Sequence, residues 1–227
     1  MSDQFLPISR RALMLAAGSL AAITTLPVDL ALAQRKTQAD ADVAELMKAG
    51  DLPDQAIGSA DAKITVVEYA SMTCGHCAAF HKKVFPALKT KYVDTGKVRF
   101  IMREFPLDDL AAAASMLSRC AGGSDVAKSY DLTAILFEKQ DDWAFVKGNP
   151  VPKLFEIAKQ AGFTQESFDK CLTDQKLLEQ ITAGRERGSN KFGVNSTPAF
   201  FINGKRLNDA PTVESFEKMI EPLLKAS

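Results

Sequence analysis

The chain reads as an α/β protein whose sheet is interrupted by a long helical insertion, and three observations predict this. An apolar, β-branched run at residues 63–70 is followed by a helical pattern and a second strand at 98–105, the order of a right-handed βαβ unit with a parallel strand pair. Residues 106–196 then carry helical spacing with no strand signal, and strands return at 199–202 and 205–207 around Asn203-Gly204, the strongest short-range hairpin signal.

Each element has its own justification. Residues 63–70 are apolar nearly throughout, as in a strand covered on both faces. After Cys74-Gly75-His76-Cys77, the residues Cys77, Phe80, Val84, Leu88 and Tyr92 recur at helical spacing, so the cysteine pair opens a helix. Pro86 inside that pattern removes a donor and predicts a kink. In the insertion, 107–120 is alanine-rich, Val126, Tyr130 and Phe137 share a face, and Leu154, Ile157 and Ala161 run to a stop at Gly162. Thr164 is an N-cap with Phe163 and Phe168 as a hydrophobic staple, and Asp174 caps a helix carrying Leu177, Leu178 and Ile181. The last helix carries Val213, Phe216, Ile220 and Leu223.

The N-terminal segment has a different character. Arg10-Arg11, an apolar run at 12–26 and Ala31-Leu32-Ala33 form the layout of a secretory signal cleaved after Ala33. The run is short for a membrane span, though an uncleaved anchor is the alternative. Ser9-Arg10-Arg11-Ala12-Leu13 also resembles a twin-arginine export signal. The expected organisation is therefore a signal at 1–33, a leader with a short helix at 34–51, a first domain part at 52–105, a helical insertion at 106–190 and a second domain part at 191–227. The leader could dock or mediate self-association, and 52–61, with Pro53, Gly58 and Ser59, reads as a loop.

Composition narrows the function. With 46% hydrophobic and 25% charged residues, disordered, collagenous and disulfide-dense small scaffolds are excluded. Lys plus Arg and Asp plus Glu both number 28, so nothing steers the chain toward nucleic acid or an anionic membrane. Four cysteines are too few to staple 227 residues together, and export places them where thiol chemistry can be a function in itself.

At the start of a helix, unpaired N–H groups and the positive end of the macrodipole favour a thiolate at Cys74, making it the nucleophile. Cys77, one turn on, can resolve a mixed disulfide. His76 adds a donor or partial positive charge beside the sulfur. A stabilised thiolate favours the reduced form, which makes the disulfide an oxidant. Zinc held by Cys74, Cys77 and His81 lacks a second paired knuckle, and a purely structural disulfide would close only a tiny loop. Glu68 is either splayed to solvent at the strand end or half-buried beneath the pair, where it could shuttle the Cys77 proton. His81 is given no role, and Met72 and Tyr69 belong to the core or border a peptide surface.

The segment from Val66 to Cys77, VVEYASMTCGHC, together with GVNSTPAFFING from Gly193 to Gly204, resembles the DsbA-like branch of the thioredoxin superfamily. The resemblance covers about residues 52–225. It implies a thioredoxin fold with an inserted α-helical domain and a periplasmic thiol:disulfide oxidoreductase that needs no cofactor and no metal. It also implies a cis-proline at Pro198 facing the cysteines, substrate backbone pairing at Thr197, and a strand acid at Glu68. Some relatives carry a further non-catalytic cysteine pair, which would be Cys120 and Cys171. The implied substrates are unfolded or reduced exported proteins, and the implied partner is a DsbB-like membrane quinone reductase, or a membrane thiol donor if the protein is kept reduced. The Gly75-His76 dipeptide departs from the Pro-His of the strongest oxidants and is typical of protein disulfide isomerase. A disulfide oxidase is therefore the first reading, an isomerase or reductase the alternative, and a non-redox peptide-binding or chaperone module the third.

Overall fold

Five strands, β1 (Gln55–Ile57), β2 (Ile64–Ala70), β3 (Val98–Glu104), β4 (Ala199–Ile202) and β5 (Lys205–Arg206), form one sheet in the order β1-β3-β2-β4-β5. The computed structural model describes residues 39–48 and 50–226, so the export segment read at 1–33 lies outside the described residues. Strands β2 and β3 run parallel, with Val66 opposite Phe100, and the other neighbours are antiparallel. The two central strands are thus the predicted βαβ pair.

The period of two along each strand sorts side chains to two faces. Ile64, Val66 and Ala70 of β2, Phe100 and Met102 of β3, and Phe200 and Ile202 of β4 share one core with Cys77 and Phe80. Val67, Tyr69, Ile101 and Phe201 point to the opposite face, into a smaller core with Leu46 and Phe192. Glu68 has the parity of Val66 and Ala70 and so lies on the cysteine side.

The helices are α1 (Val43–Met47), α2 (Gly75–Lys83), α3 (Phe85–Leu88), α4 (Asp109–Gly122), α5 (Val126–Glu138), α6 (Gln140–Trp143), α7 (Val151–Gln160), α8 (Gln165–Leu172), α9 (Gln175–Phe192) and α10 (Val213–Lys225). Pro86 does more than kink the helix after the cysteines. Val84 departs to φ −112°, α3 restarts with Pro86 in its first turn, and a π-helical turn follows at Lys89–Val93. In the insertion, Thr164 caps α8 in a reciprocal box with Ser167, and the Asp174 carboxylate accepts from the Leu177 amide. Cys120 and Cys171 form a disulfide tying α4 to α8, with Cα atoms 6.2 Å apart. No helix among the described residues is long and apolar enough to cross a membrane.

One element differs from the sequence reading, and the leader helix takes the docking alternative read for it. The segment read as an entry loop contains β1, whose three residues are too few to display a period of two. The leader helix α1 docks on its own sheet: Leu46 is buried in the smaller core, and the Arg187 guanidinium donates to the carbonyls of Glu45 and Lys48. Ahead of it, the Ala41 amide donates to the Gly204 carbonyl and the Arg206 amide to Asp40. Gly204 serves both the turn and this contact. Its φ of +81° follows Asn203 at +45° in the hairpin, and a Cβ there would lie 2.7 Å from the Ala41 carbonyl oxygen.

Candidate active site

Cys74 is the N-cap of α2, and Cys77 lies within its first turn. The two sulfurs, both free thiols, are unequal: Cys74 keeps 9% exposure and Cys77 none. When protonated, the Cys74 thiol donates to the Thr197 carbonyl at 3.3 Å, and the Thr197-Pro198 bond beside it is cis. This brings the two sequence motifs together across 123 residues.

The surroundings drive the two thiols in opposite directions. A hydrogen bond from the Cys77 thiol does most to lower Cys74, to about 5; burial opposes it, and the Thr197 side chain and the backbone N–H groups of Cys77 and His76 add to it. Cys77 is pushed well above the ordinary thiol value, first by burial, then by its bond to Cys74 and by the negative charge of Glu68. The outer sulfur is therefore a thiolate at neutral pH and the inner one a thiol, an inequality of the kind that attacking and resolving thiols require. His76 contributes through its backbone; its side chain is exposed.

Glu68 is not splayed to solvent. It is fully buried in β2 between Met102 and Phe200. Its Oε2 meets His81 Nε2 at 2.8 Å, and its Oε1 has no hydrogen-bond partner. His81, given no role from sequence, is thus the partner of the buried acid, and its spacing four residues after Cys77 on α2 was the available signal. Met72 and Tyr69 are both core residues, and Tyr69 faces the opposite side of the sheet.

Sequence reasoning missed the groups that hold the turn before Cys74. The Cys74 amide donates to the Ser71 carbonyl at 3.1 Å. Buried Gln140 of α6 donates from Nε2 to the carbonyls of Met72 at 2.7 Å and Cys74 at 3.1 Å. The Thr73 hydroxyl donates to Asp108, the N-cap of α4, and the Leu107 amide to the Ser71 hydroxyl. Nothing local in the sequence marks Gln140, since its partners lie 66 and 68 residues away.

A thioredoxin-type sheet, an interposed helical layer and a dithiol of unequal acidity facing a cis-proline define a DsbA-like protein of the thioredoxin superfamily. The family model described as Thioredoxin matches residues 51–222, and the chain belongs to that family. It is similar to alpha-DsbA1 of Wolbachia pipientis, whose crystal structure superposes with a TM-score of 0.74 at 32% identity, covering 82% of this chain and 97% of that one. A Rickettsia bellii protein, named as a provisional protein-disulfide oxidoreductase, is 38% identical over 154 residues, or 68% of this chain; the chain spans 58% of that relative's length. BdbD from Bacillus subtilis, in its oxidised form, shares the fold with a TM-score of 0.68 at 22% identity, covering 83% of this chain and 98% of that one.

Proposed function

We propose that this chain is a periplasmic thiol:disulfide oxidoreductase that donates a Cys74–Cys77 disulfide to exported proteins. The observation that carries the reading is the opposite displacement of the two thiols, Cys74 down to about 5 and Cys77 well up.

The oxidised pair reacts in two exchanges. A substrate thiolate bonds to Cys74 Sγ, the internal disulfide breaks, and Cys77 departs with the electron pair and takes up a proton, as its raised thiol requires. A second substrate thiolate then attacks the substrate sulfur of the mixed disulfide, and Cys74 leaves as the stabilised thiolate. The easier that departure, the stronger the oxidant. Extended substrate lies along Thr197-Pro198, in reach of Cys74. The dithiol left behind returns its two electrons to a DsbB-like membrane quinone reductase, and the segment at 1–33 supplies export.

The test is equilibration with glutathione buffers, with the Cys74–Cys77 pair quantified by alkylation and mass. An oxidase is expected between about −120 and −180 mV, and a midpoint below about −230 mV would overturn the reading in favour of a reductase. Cys74→Ala abolishes exchange on dithiol substrates, and retained exchange would remove the pair from the chemistry altogether.

A further inference from the structure

Cys77 gains and loses a proton in every cycle, yet it has no exposed surface. Its proton needs a route. Glu68, whose charge acts on Cys77, is equally buried, so the carboxylate alone does not reach water. The next group outward is His81. Its Nε2 meets Glu68, and its ring is stacked on Phe137 of α5, with centroids 4.4 Å apart and planes inclined by 16°, and flanked by Phe85 at 5.1 Å. Those rings fix the imidazole's plane. The ring also lines a groove of about 420 Å³ between the α2–α3 segment and α5, and Nδ1 has no hydrogen-bond partner among the described residues. The other ionisable groups on the groove are Lys82, Tyr130, Glu138 and Lys139. Of these, Tyr130 is bound to the Gln55 carbonyl and the Met102 amide, and Lys139 to Gln160.

We propose that His81 is the outer relay carrying the Cys77 proton between Glu68 and water in this groove. The inference rests on the disulfide-exchange reading and adds a positioning residue to it. When a substrate sulfur bonds to Cys74 and the internal disulfide breaks, its electron pair leaves on Cys77 Sγ. Groove water then gives a proton to His81 Nδ1, Nε2 passes its own proton to the Glu68 carboxylate, and the carboxyl group passes one to Cys77 across a bridging water, since Glu68 Oε1 has no partner among the described residues. On reoxidation the proton runs outward through the same groups. That reverse passage restores the starting tautomer, and the Glu68–His81 couple carries the same charge before and after.

The test uses the full chain in single-turnover reduction of the oxidised protein by dithiothreitol, followed by rapid quench between pH 5 and pH 9. His81→Ala is expected to slow the step at least about tenfold, the low end of what a positioned proton-transfer group supplies. Excess imidazole, entering through the groove, should recover the rate. Pyrazole, of similar size but far less basic, should not. His81→Gln keeps an N–H for Glu68 but cannot relay, so it should be slow and beyond rescue; if the Ala variant fails to fold, this one decides. Wild-type rates in His81→Gln overturn the relay, as does rescue of His81→Ala by neither base or equally by both. A wild-type protein that does not exchange would instead sink the disulfide-exchange reading itself.

Discussion

The acidity of Cys74 fixes how the redox potential must vary with pH. With the Cys74 thiol at about 5 and Cys77 well above the ordinary range, the reduced pair carries two protons below pH 5 and one between pH 5 and the region where Cys77 ionises. For a two-electron couple, each bound proton contributes about 30 mV per pH unit. The potential should therefore fall by about 59 mV per unit below the break and by about 30 mV above it. At pH 7, two units above the break, about 99% of the reduced protein holds Cys74 as thiolate. Stability follows the same linkage. A thiol lowered on folding stabilises the fold fully above its unfolded value of about 8.5, and the contribution is lost as pH falls toward 5. The shift corresponds to about 5 kcal/mol if undiminished, and screening of a sulfur that is partly open to solvent leaves roughly 2 kcal/mol. The assay is glutathione equilibration at half-unit steps from pH 4 to 8.5, with urea unfolding of the reduced and oxidised forms alongside. A single slope of about 59 mV per unit up to pH 8, with no change in the stability gap between the two forms, would refute the thiolate assignment.

Three further outcomes follow from the packing. Joint replacement of Cys120 and Cys171 by alanine opens a loop of sequence separation 51 and should cost about 4 kcal/mol by loop entropy, read from the urea midpoint; an unchanged midpoint would mean the bond constrains nothing. Gln140→Leu strips the side-chain donor from the carbonyls of Met72 and Cys74 and should cost about 1–3 kcal/mol and slow exchange at Cys74. A variant that melts lower but exchanges at the original rate would separate stability from positioning. Gly188→Ala places a Cβ 2.8 Å from Tyr69 Cε1 inside α9. Overpacking at about 1–3 kcal/mol outweighs a helix-propensity gain of about 1 kcal/mol, so the variant should melt lower, and a higher melting temperature would contradict the tight contact.

The sheet centre was legible because β2, β3 and β4 are long enough to show composition and are punctuated by turns, and Asn203-Gly204 announced its hairpin through the positive φ it requires. Helix starts were legible where a capping side chain precedes an apolar pattern, as at Thr164 and Asp174. What stayed hidden depended on contacts far apart in sequence. Strand β1 exists because β3 offers an open edge, and three residues cannot advertise that. His81 looked like any helix histidine until the strand parity of Glu68 placed a buried carboxylate against it. That parity was available: Glu68 lies two residues from Val66 and from Ala70, so once both were assigned to the cysteine face the acid had to join them.

The helical insertion is part of the site and not an attachment to it. A nucleophile at a helix N-cap depends on the geometry of the turn delivering it, since the N–H groups that favour the thiolate must aim at the sulfur. Residues 71–74 form that turn, and one of its internal contacts is the Cys74 amide on the Ser71 carbonyl. Gln140, Asp108 and Leu107 supply further bonds, all from the segment that follows β3. Without Gln140 the Met72 carbonyl would lose its side-chain donor and the Cys74 carbonyl would keep only the Ala78 amide, in a dry environment where an unmade hydrogen bond is most costly. The insertion thus holds the turn that presents Cys74 to the Cys77 thiol and to the backbone N–H groups that add to its acidity, and the same α5 that precedes Gln140 provides Phe137 against His81. One helical layer packs against both the turn that carries Cys74 and the imidazole that meets Glu68.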